Sequence, residues 1–237
     1  MKGEGRRFPL LLDPDARECE FPDVSRALLD PNGLLAIGGN LQPDCLLRAY
    51  RRGIFPWYEA GQPILWWSPD PRMVLFPQRI RISRSLRKGL RQQRYRITFD
   101  RDFEGVIRAC AEPRSDEGGT WITAEMIEAY VRLHRLGYAH SAEAWEGDAL
   151  VGGVYGIALG RVFFGESMFH RARDASKHAF VRLVERLASR DCAVIDCQMQ
   201  TSHLLSLGAE TITREVFVGL LAQCDVAGLP SCWHEAN

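Results

Sequence analysis

The run from His140 to Phe169, HSAEAWEGDALVGGVYGIALGRVFFGESMF, decides the fold. It contains three strand-like stretches, His140 to Trp145, Leu150 to Leu159 and Val162 to Phe169. The tight turns Glu146-Gly147-Asp148 and Gly160-Arg161 join them, and turns that short connect antiparallel neighbours. The run therefore predicts a three-stranded meander.

Working outward, the next segment is amphipathic. Ser176 to Ser189 places Ala179, Phe180, Leu183, Val184 and Leu187 on one helical face. An apolar strand, Ala193 to Cys197, and a last helix around Arg214 to Cys224 follow. On the N-terminal side the pattern predicts strands at Met73 to Phe76 and Tyr95 to Phe99. It predicts helices at Ser83 to Arg91, Asp102 to Ala111 and Thr123 to Leu136, the last capped by Thr123 and stopped by Gly137. Helices on either side of a meander, then a helix and one more strand, make an α+β domain over residues 73–237. Residues 1–72 differ. They are dense in turn signals such as Asp30-Pro31-Asn32-Gly33 and Ser68-Pro69-Asp70-Pro71, with one short helix expected from Asp44, as N-cap, to Arg52. That part buries little alone and is expected to pack as a small N-terminal domain.

Composition excludes several classes. Of 237 residues, 46% are hydrophobic and 25% charged, which is globular usage. The net charge is zero, so any polyanion must be held by a local patch. No apolar run approaches the roughly 20 residues of a membrane span, and Met1 to Arg7 is followed by no signal-peptide core. The seven cysteines are scattered and form no CxxC pair, so the expectation is no disulfide framework, a reducing compartment and a cytoplasmic protein. No histidine–cysteine spacing suggests a metal. Gly152-Gly153-Val154-Tyr155-Gly156 opens no helix, and Gly165-Glu166-Ser167-Met168-Phe169 sits in a meander, so neither is a nucleotide loop nor a nucleophile elbow.

Three groups remain as candidates for chemistry. Residues 79–96 carry Arg79, Arg81, Arg84, Arg87, Lys88, Arg91, Arg94 and Arg96 and no acid. Arg84, Arg87, Lys88 and Arg91 share one helical face, which is either a solvated surface or a phosphate-binding one. Aromatics Phe55, Trp57, Tyr58, Trp66, Trp67 and Trp121 cluster at turns; they either join two domains, or stack on bases or line an apolar ligand pocket. Glu166, Asp196 and Gln198 interrupt apolar strands. Each alone suggests a structural ion pair, and together they suggest a polar site, with Asp196 and Gln198 on one strand face.

Taken together, Leu34-Leu35-Ala36-Ile37-Gly38-Gly39, Gly53-Ile54-Phe55-Pro56-Trp57, Trp66-Trp67-Ser68-Pro69-Asp70-Pro71-Arg72, Gly119-Thr120-Trp121-Ile122-Thr123, Gly165-Glu166-Ser167-Met168-Phe169 and Asp196-Cys197-Gln198 resemble the leucyl/phenylalanyl-tRNA–protein transferase family from about Phe21 to Leu221. The resemblance implies a small N-terminal domain beside a GNAT-like acyltransferase domain with a mixed, mainly antiparallel sheet. It implies transfer of Leu or Phe, and also Met, from aminoacyl-tRNA to the N-terminal Arg or Lys of a protein, marking it for degradation by the N-degron pathway. No cofactor, metal or membrane is implied, and a monomer is expected. An apolar pocket of Trp57, Trp121, Val154, Phe163 and Ile195 is expected to take the donor side chain; the family usually has methionine where Val154 stands. Glu166 and Asp196 would supply a negative field for the cationic acceptor, and Gln198, fixed by Asp196, would orient its amine. Arg79, Arg81, Arg84, Arg87, Lys88 and Arg91, with Arg173 and Lys177, would meet the tRNA. The stretch Arg171 to Lys177 has no glycine, which disfavours a coenzyme A-dependent acetyltransferase. A non-catalytic tRNA-binding module, with Glu166 and Asp196 structural, is the other alternative.

Overall fold

The computed structural model describes residues 8–16, 18–113, 120–226 and 232–233; Met1 to Arg7 and Gly119 lie outside these. The chain folds as α+β with two mixed sheets. The first is small. It is built from β1 (Leu10–Leu12), β2 (Leu34–Gly38), β3 (Phe55–Pro56) and β4 (Leu65–Trp67) in the order β1-β2-β4-β3. None of these strands was legible between the turn signals, because strands of two to five residues carry too little alternation. Helix α1 (Pro43–Arg51) lies between β2 and β3. Its N-cap is Gln42 and not Asp44: Pro43 takes the first helical position, where its fixed φ and missing N–H cost nothing, and Asp44 falls inside the first turn. Cys19 and Cys45 form a disulfide, contrary to the expectation of none. Scatter along the sequence says nothing about which cysteines the fold brings together.

The second sheet has seven strands in the order β11-β5-β10-β9-β8-β7-β6. They are β5 (Arg72–Leu75), β6 (Arg96–Phe99), β7 (Ala139–Glu146), β8 (Ala149–Leu159), β9 (Val162–His170), β10 (Val194–Gln198) and β11 (Glu210–Ile212). The meander β7-β8-β9 lies where the turns put it, and β10 joins β9 in parallel while the other neighbours are antiparallel. Helices α3 (Phe103–Ala111) and α4 (Ala124–Arg135) cover one face. Helices α2 (Arg84–Arg91) and α5 (Ala175–Ser189) lie on the other. Short α6 (Ser202–Ser206) and α7 (Arg214–Gln223) complete the chain; α6 and β11 are too short for periodicity to reveal.

The N-terminal elements have no core to themselves. Cys45, Leu46, Tyr50 and Trp66 belong to the same buried cluster as Phe103, Ile107, Tyr130, Tyr155 and Phe164. At the other side, Trp233 is only 3% exposed. Its ring stacks on His140 at 4.2 Å, and its indole N–H donates to Asp100 Oδ2 at 2.8 Å. Trp233→Ala is expected to cost about 3–5 kcal/mol of stability, as large aromatic truncations in cores do. Urea unfolding of the variant beside the wild type measures it.

Candidate active site

The pairing of β9 with β10 is brief, running from Val162–Val194 to Phe164–Asp196. Each strand then departs from regular register. β9 bulges against β8 between Tyr155 and Gly156, and β10 bulges against β5 between Asp196 and Gln198. Gly156 makes the first bulge possible, since a Cβ there would lie 2.2 Å from the Phe164 carbonyl oxygen. Where pairing ends, a cavity of about 930 Å³ opens. That is the size of an ordinary ligand site.

Its lining divides by chemistry. Val154, Met168, Phe180, Ile195 and Leu204 make an apolar wall, and Trp57 and Trp121 stand on the N-terminal side. Trp57 is 42% exposed, its ring edge-to-face with Trp67, whose N–H donates to the Trp57 carbonyl at 2.7 Å. Glu166, Ser176, Lys177, Gln198 and His203 supply polar groups. Of the pocket expected from sequence, Phe163 does not line the cavity. It is fully buried in the core beneath α5, with its ring over Trp233.

Glu166 makes no ion pair among the described residues. Its carboxylate accepts from Tyr50 Oη at 2.8 Å and Tyr130 Oη at 3.1 Å, and the two phenols also bond to each other. Burial raises its pKa from 4.5 to about 7, against the two phenol hydrogen bonds, which lower it. The carboxyl is thus half-ionised near neutrality. Glu112 also borders the cavity, but Arg171 neutralises it at 2.5 Å.

The expectation that Asp196 and Gln198 share a strand face fails at the bulge. Gln198 takes φ 54°, and its side chain lines the cavity while Asp196 does not. The Asp196 carboxylate turns to Arg72, which donates from Nε at 2.8 Å and Nη2 at 2.7 Å. Both side chains are essentially inaccessible, at 1% and 0% exposure. Asp196 Oδ1 also accepts the Gln198 backbone N–H at 3.0 Å, so Asp196 holds the left-handed bulge that presents Gln198. Arg72 in turn donates to the Gly53 carbonyl at 3.2 Å and is sandwiched between the rings of Phe55 and Phe217.

Arg72, Tyr50 and Tyr130 were missed by sequence reasoning. An arginine opening the apolar strand Met73-Val74-Leu75 is the same signal that marked Asp196, so Arg72 was findable. The tyrosines sit on amphipathic helices among apolar neighbours and carry no such signal.

The basic residues Arg79, Arg81, Arg84, Arg87, Lys88 and Arg91 are all exposed. Arg79 is not free, because Glu210 of β11 pairs with it at 2.9 Å. Lys177 pairs with Asp174 at 2.8 Å, and Arg173 lies 3.7 Å from the same carboxylate. The Tyr95 hydroxyl donates to the Arg173 carbonyl at 2.8 Å, tying the end of the basic segment to the cavity rim. Among the described residues, Asp100, His134 and His140 group as metal ligands would, with ligand atoms within 4.8 Å. Their polar atoms are already engaged: His140 with Asp100, His134 with the Ala139 carbonyl, and Asp100 with Ser141 N–H and Trp233. None of the three lines the cavity.

The model of the leucyl/phenylalanyl-tRNA protein transferase family matches residues 74–222, and that of the family's N-terminal domain matches residues 39–70. Proteins named leucyl/phenylalanyl-tRNA–protein transferase are similar across most of the chain. That of Aromatoleum aromaticum is 64% identical over 203 residues, covering 86% of each chain. That of Azoarcus sp. is 61% identical over 223 residues, covering 94% of this chain and 93% of its own. That of Methylococcus capsulatus is 55% identical over 227 residues, covering 95% and 97%. Among solved structures, a functionally unknown conserved protein from Staphylococcus epidermidis aligns with 76% of this chain and 68% of its own, at 10% identity and TM-score 0.44, a likeness that decides neither fold nor function.

Two outcomes are expected. Arg72→Met strands the Asp196 charge in the core and should cost about 3–5 kcal/mol, whereas Arg72→Met with Asp196→Asn should cost less than the single change, as read by urea unfolding. Tyr50→Phe removes a hydrogen bond to the ionised form, so the Glu166 pKa should rise above 7. A carbon NMR titration of the labelled carboxyl measures the shift.

Proposed function

The chain belongs to the leucyl/phenylalanyl-tRNA protein transferase family, and on that premise we propose that the β9–β10 cavity is where an aminoacyl ester meets a cationic acceptor. The enzyme is an aminoacyltransferase that moves Leu or Phe from aminoacyl-tRNA to a protein. The acceptor is read as a protein with N-terminal Arg or Lys, and Met as a further donor. The observation that carries this reading is one cavity with an apolar wall and a carboxylate, Glu166, that pairs with no cation among the described residues. No helix among the described residues is long and apolar enough to cross a membrane.

The division at residues 72/73 and the GNAT-like character of the second part are our reading too. They rest on the meander, the parallel β9–β10 pair that parts beyond Phe164, and α5 between those strands.

The reaction is aminolysis of an activated ester. The acceptor's amine attacks the carbonyl carbon, the bond to the terminal ribose breaks, and the departing ribose hydroxyl takes up a proton. An α-amine of pKa about 8 must first lose its proton, which positioning and a nearby base both favour. Val154, Ile195 and Phe180, with Trp57 and Trp121, would hold the donor side chain. Glu166 would face the acceptor's cation. Asp196 cannot add to that field, because its charge is spent on Arg72; its part is to hold Gln198. Gln198 would orient the amine. The exposed face of Arg84, Arg87, Lys88 and Arg91, continued by Arg173 and Lys177, would track the tRNA backbone.

The direct test incubates the protein with radiolabelled Leu-tRNA and a protein beginning with Arg; label should appear in the acceptor, and its absence would overturn the reading. Glu166 ionises as pH rises through about 7, so the KM for an Arg-initiated peptide should fall between pH 6 and 8. Glu166→Gln should flatten that profile. Arg84→Glu with Arg87→Glu should raise the KM for charged tRNA several-fold. Aminoacyl-adenosine is too short to reach the patch and serves as the control donor.

A further inference from the structure

The N-terminus of α5 is bare. Asp174 stands at its N-cap with φ 60° and makes no capping hydrogen bond, its carboxylate being taken by Lys177 and Arg173. Among the described residues the first-turn N–H groups of Ser176 and Lys177 have no acceptor. Four neighbouring helices, α2, α3, α4 and α7, are instead capped by their own Ser or Thr hydroxyl or Asp carboxylate. An uncapped helix start is an anion site in waiting, since its N–H groups and dipole both favour negative charge.

A second observation points to a ligand there. Ser176 is 6% exposed, lines the cavity, and its hydroxyl has no hydrogen-bond partner among the described residues. That hydroxyl opens onto the cavity and bonds to nothing among the described residues, so it is free to hydrogen-bond a ligand there. Gly152 lets the helix start reach this position. A Cβ on residue 152 would lie 2.7 Å from Ala175 Cβ and 2.8 Å from Ser176 N.

The surroundings fix the class of ligand. Lys177 and His203 border the same part of the cavity. Burial and the Lys177 ammonium hold His203 below the usual histidine range, the behaviour of a ring in a positive field. Tyr95 ties the adjacent Arg173 to the basic segment. Ser176 and Phe180 are one helical turn apart, about 6 Å along α5, so the anion site lies roughly one ribose away from the apolar wall.

We propose that the α5 N-terminus, with the Ser176 hydroxyl and the Lys177 ammonium, binds the 5′-phosphate of the terminal nucleotide of the charged tRNA. This rests on the aminoacyl-tRNA reading above and deepens it: the phosphate sets the depth at which the ester enters the cavity. Ser176 is a binding residue and takes no part in bond making.

The test uses two minimal donors, aminoacyl-adenosine with a 5′-phosphate and with a 5′-hydroxyl, on the full chain. In the wild type the phosphorylated donor should show a KM about tenfold lower, the scale of hydrogen bonds to a charged group. Ser176→Ala should shrink that ratio, and Ser176→Asp should bring it to one, with unchanged thermal melting showing that each variant folds. A ratio of one in the wild type, or a ratio untouched by both substitutions, would overturn the proposal. Should transfer from full charged tRNA itself fail, calorimetry with adenosine 5′-monophosphate against adenosine still decides the matter: preference for the monophosphate in the wild type, lost in Ser176→Asp, supports the site, and equal binding overturns it.

Discussion

The buried pair of Arg72 and Asp196 is the constraint on which the site depends. Its two parallel hydrogen bonds join β5 to β10, and the remaining guanidinium donor and faces reach the Gly53 carbonyl, Phe55 and Phe217. One side chain therefore locks together the small sheet's connection, the large sheet and the last helix. Such a pair adds little net stability against an apolar replacement, because desolvation offsets most of the attraction. What it adds here is position. With Asp196 held, its Oδ1 can accept the Gln198 N–H and keep that residue in a left-handed conformation that a non-glycine residue seldom adopts.

Glu166 shows the opposite arrangement. Its neighbours are phenols from α1 and α4, brought together by the shared core of the two sheets. Phenols satisfy a carboxylate without cancelling its charge, whereas the charge of Asp196 is neutralised by Arg72. The two acids that interrupt apolar strands thus divide the labour: one organises the protein, and one remains open to a ligand. The N-terminal elements contribute Phe55, Pro56 and Trp57 to the cavity lining, while Tyr50 and the Gly53 carbonyl bond to Glu166 and Arg72.

Charge is partitioned in a comparable way over a chain of zero net charge. The face of Arg84, Arg87, Lys88 and Arg91 has no acid partner among the described residues, while Arg79, Arg171 and Lys177 are each paired. A long-range field would be screened within about 8 Å at physiological salt, so a polyanion is held by cations that contact it directly, and the unpaired face of α2 is the largest such group in the basic segment. The Tyr95–Arg173 bond makes the basic segment contiguous with the cavity.

By itself the sequence determined every long element. The meander, α2 to α5, β10 and α7 lie within a residue or two of their patterned stretches, because each spans enough residues for periodicity and capping to register. It also singled out Glu166, Asp196 and Gln198, since polar residues in apolar strands demand a partner or a cavity. Only the tertiary structure decided which of those two each one has. The bulge at Asp196–Gln198 broke the alternation that local reasoning relies on, and Phe163, patterned like a pocket residue, went into the core. Tyr50, Tyr130 and the Cys19–Cys45 link come from segments far apart in the chain, and no local pattern encodes such meetings. A partner chosen across 80 or 116 residues is fixed by packing, which exists only once the two sheets share a core.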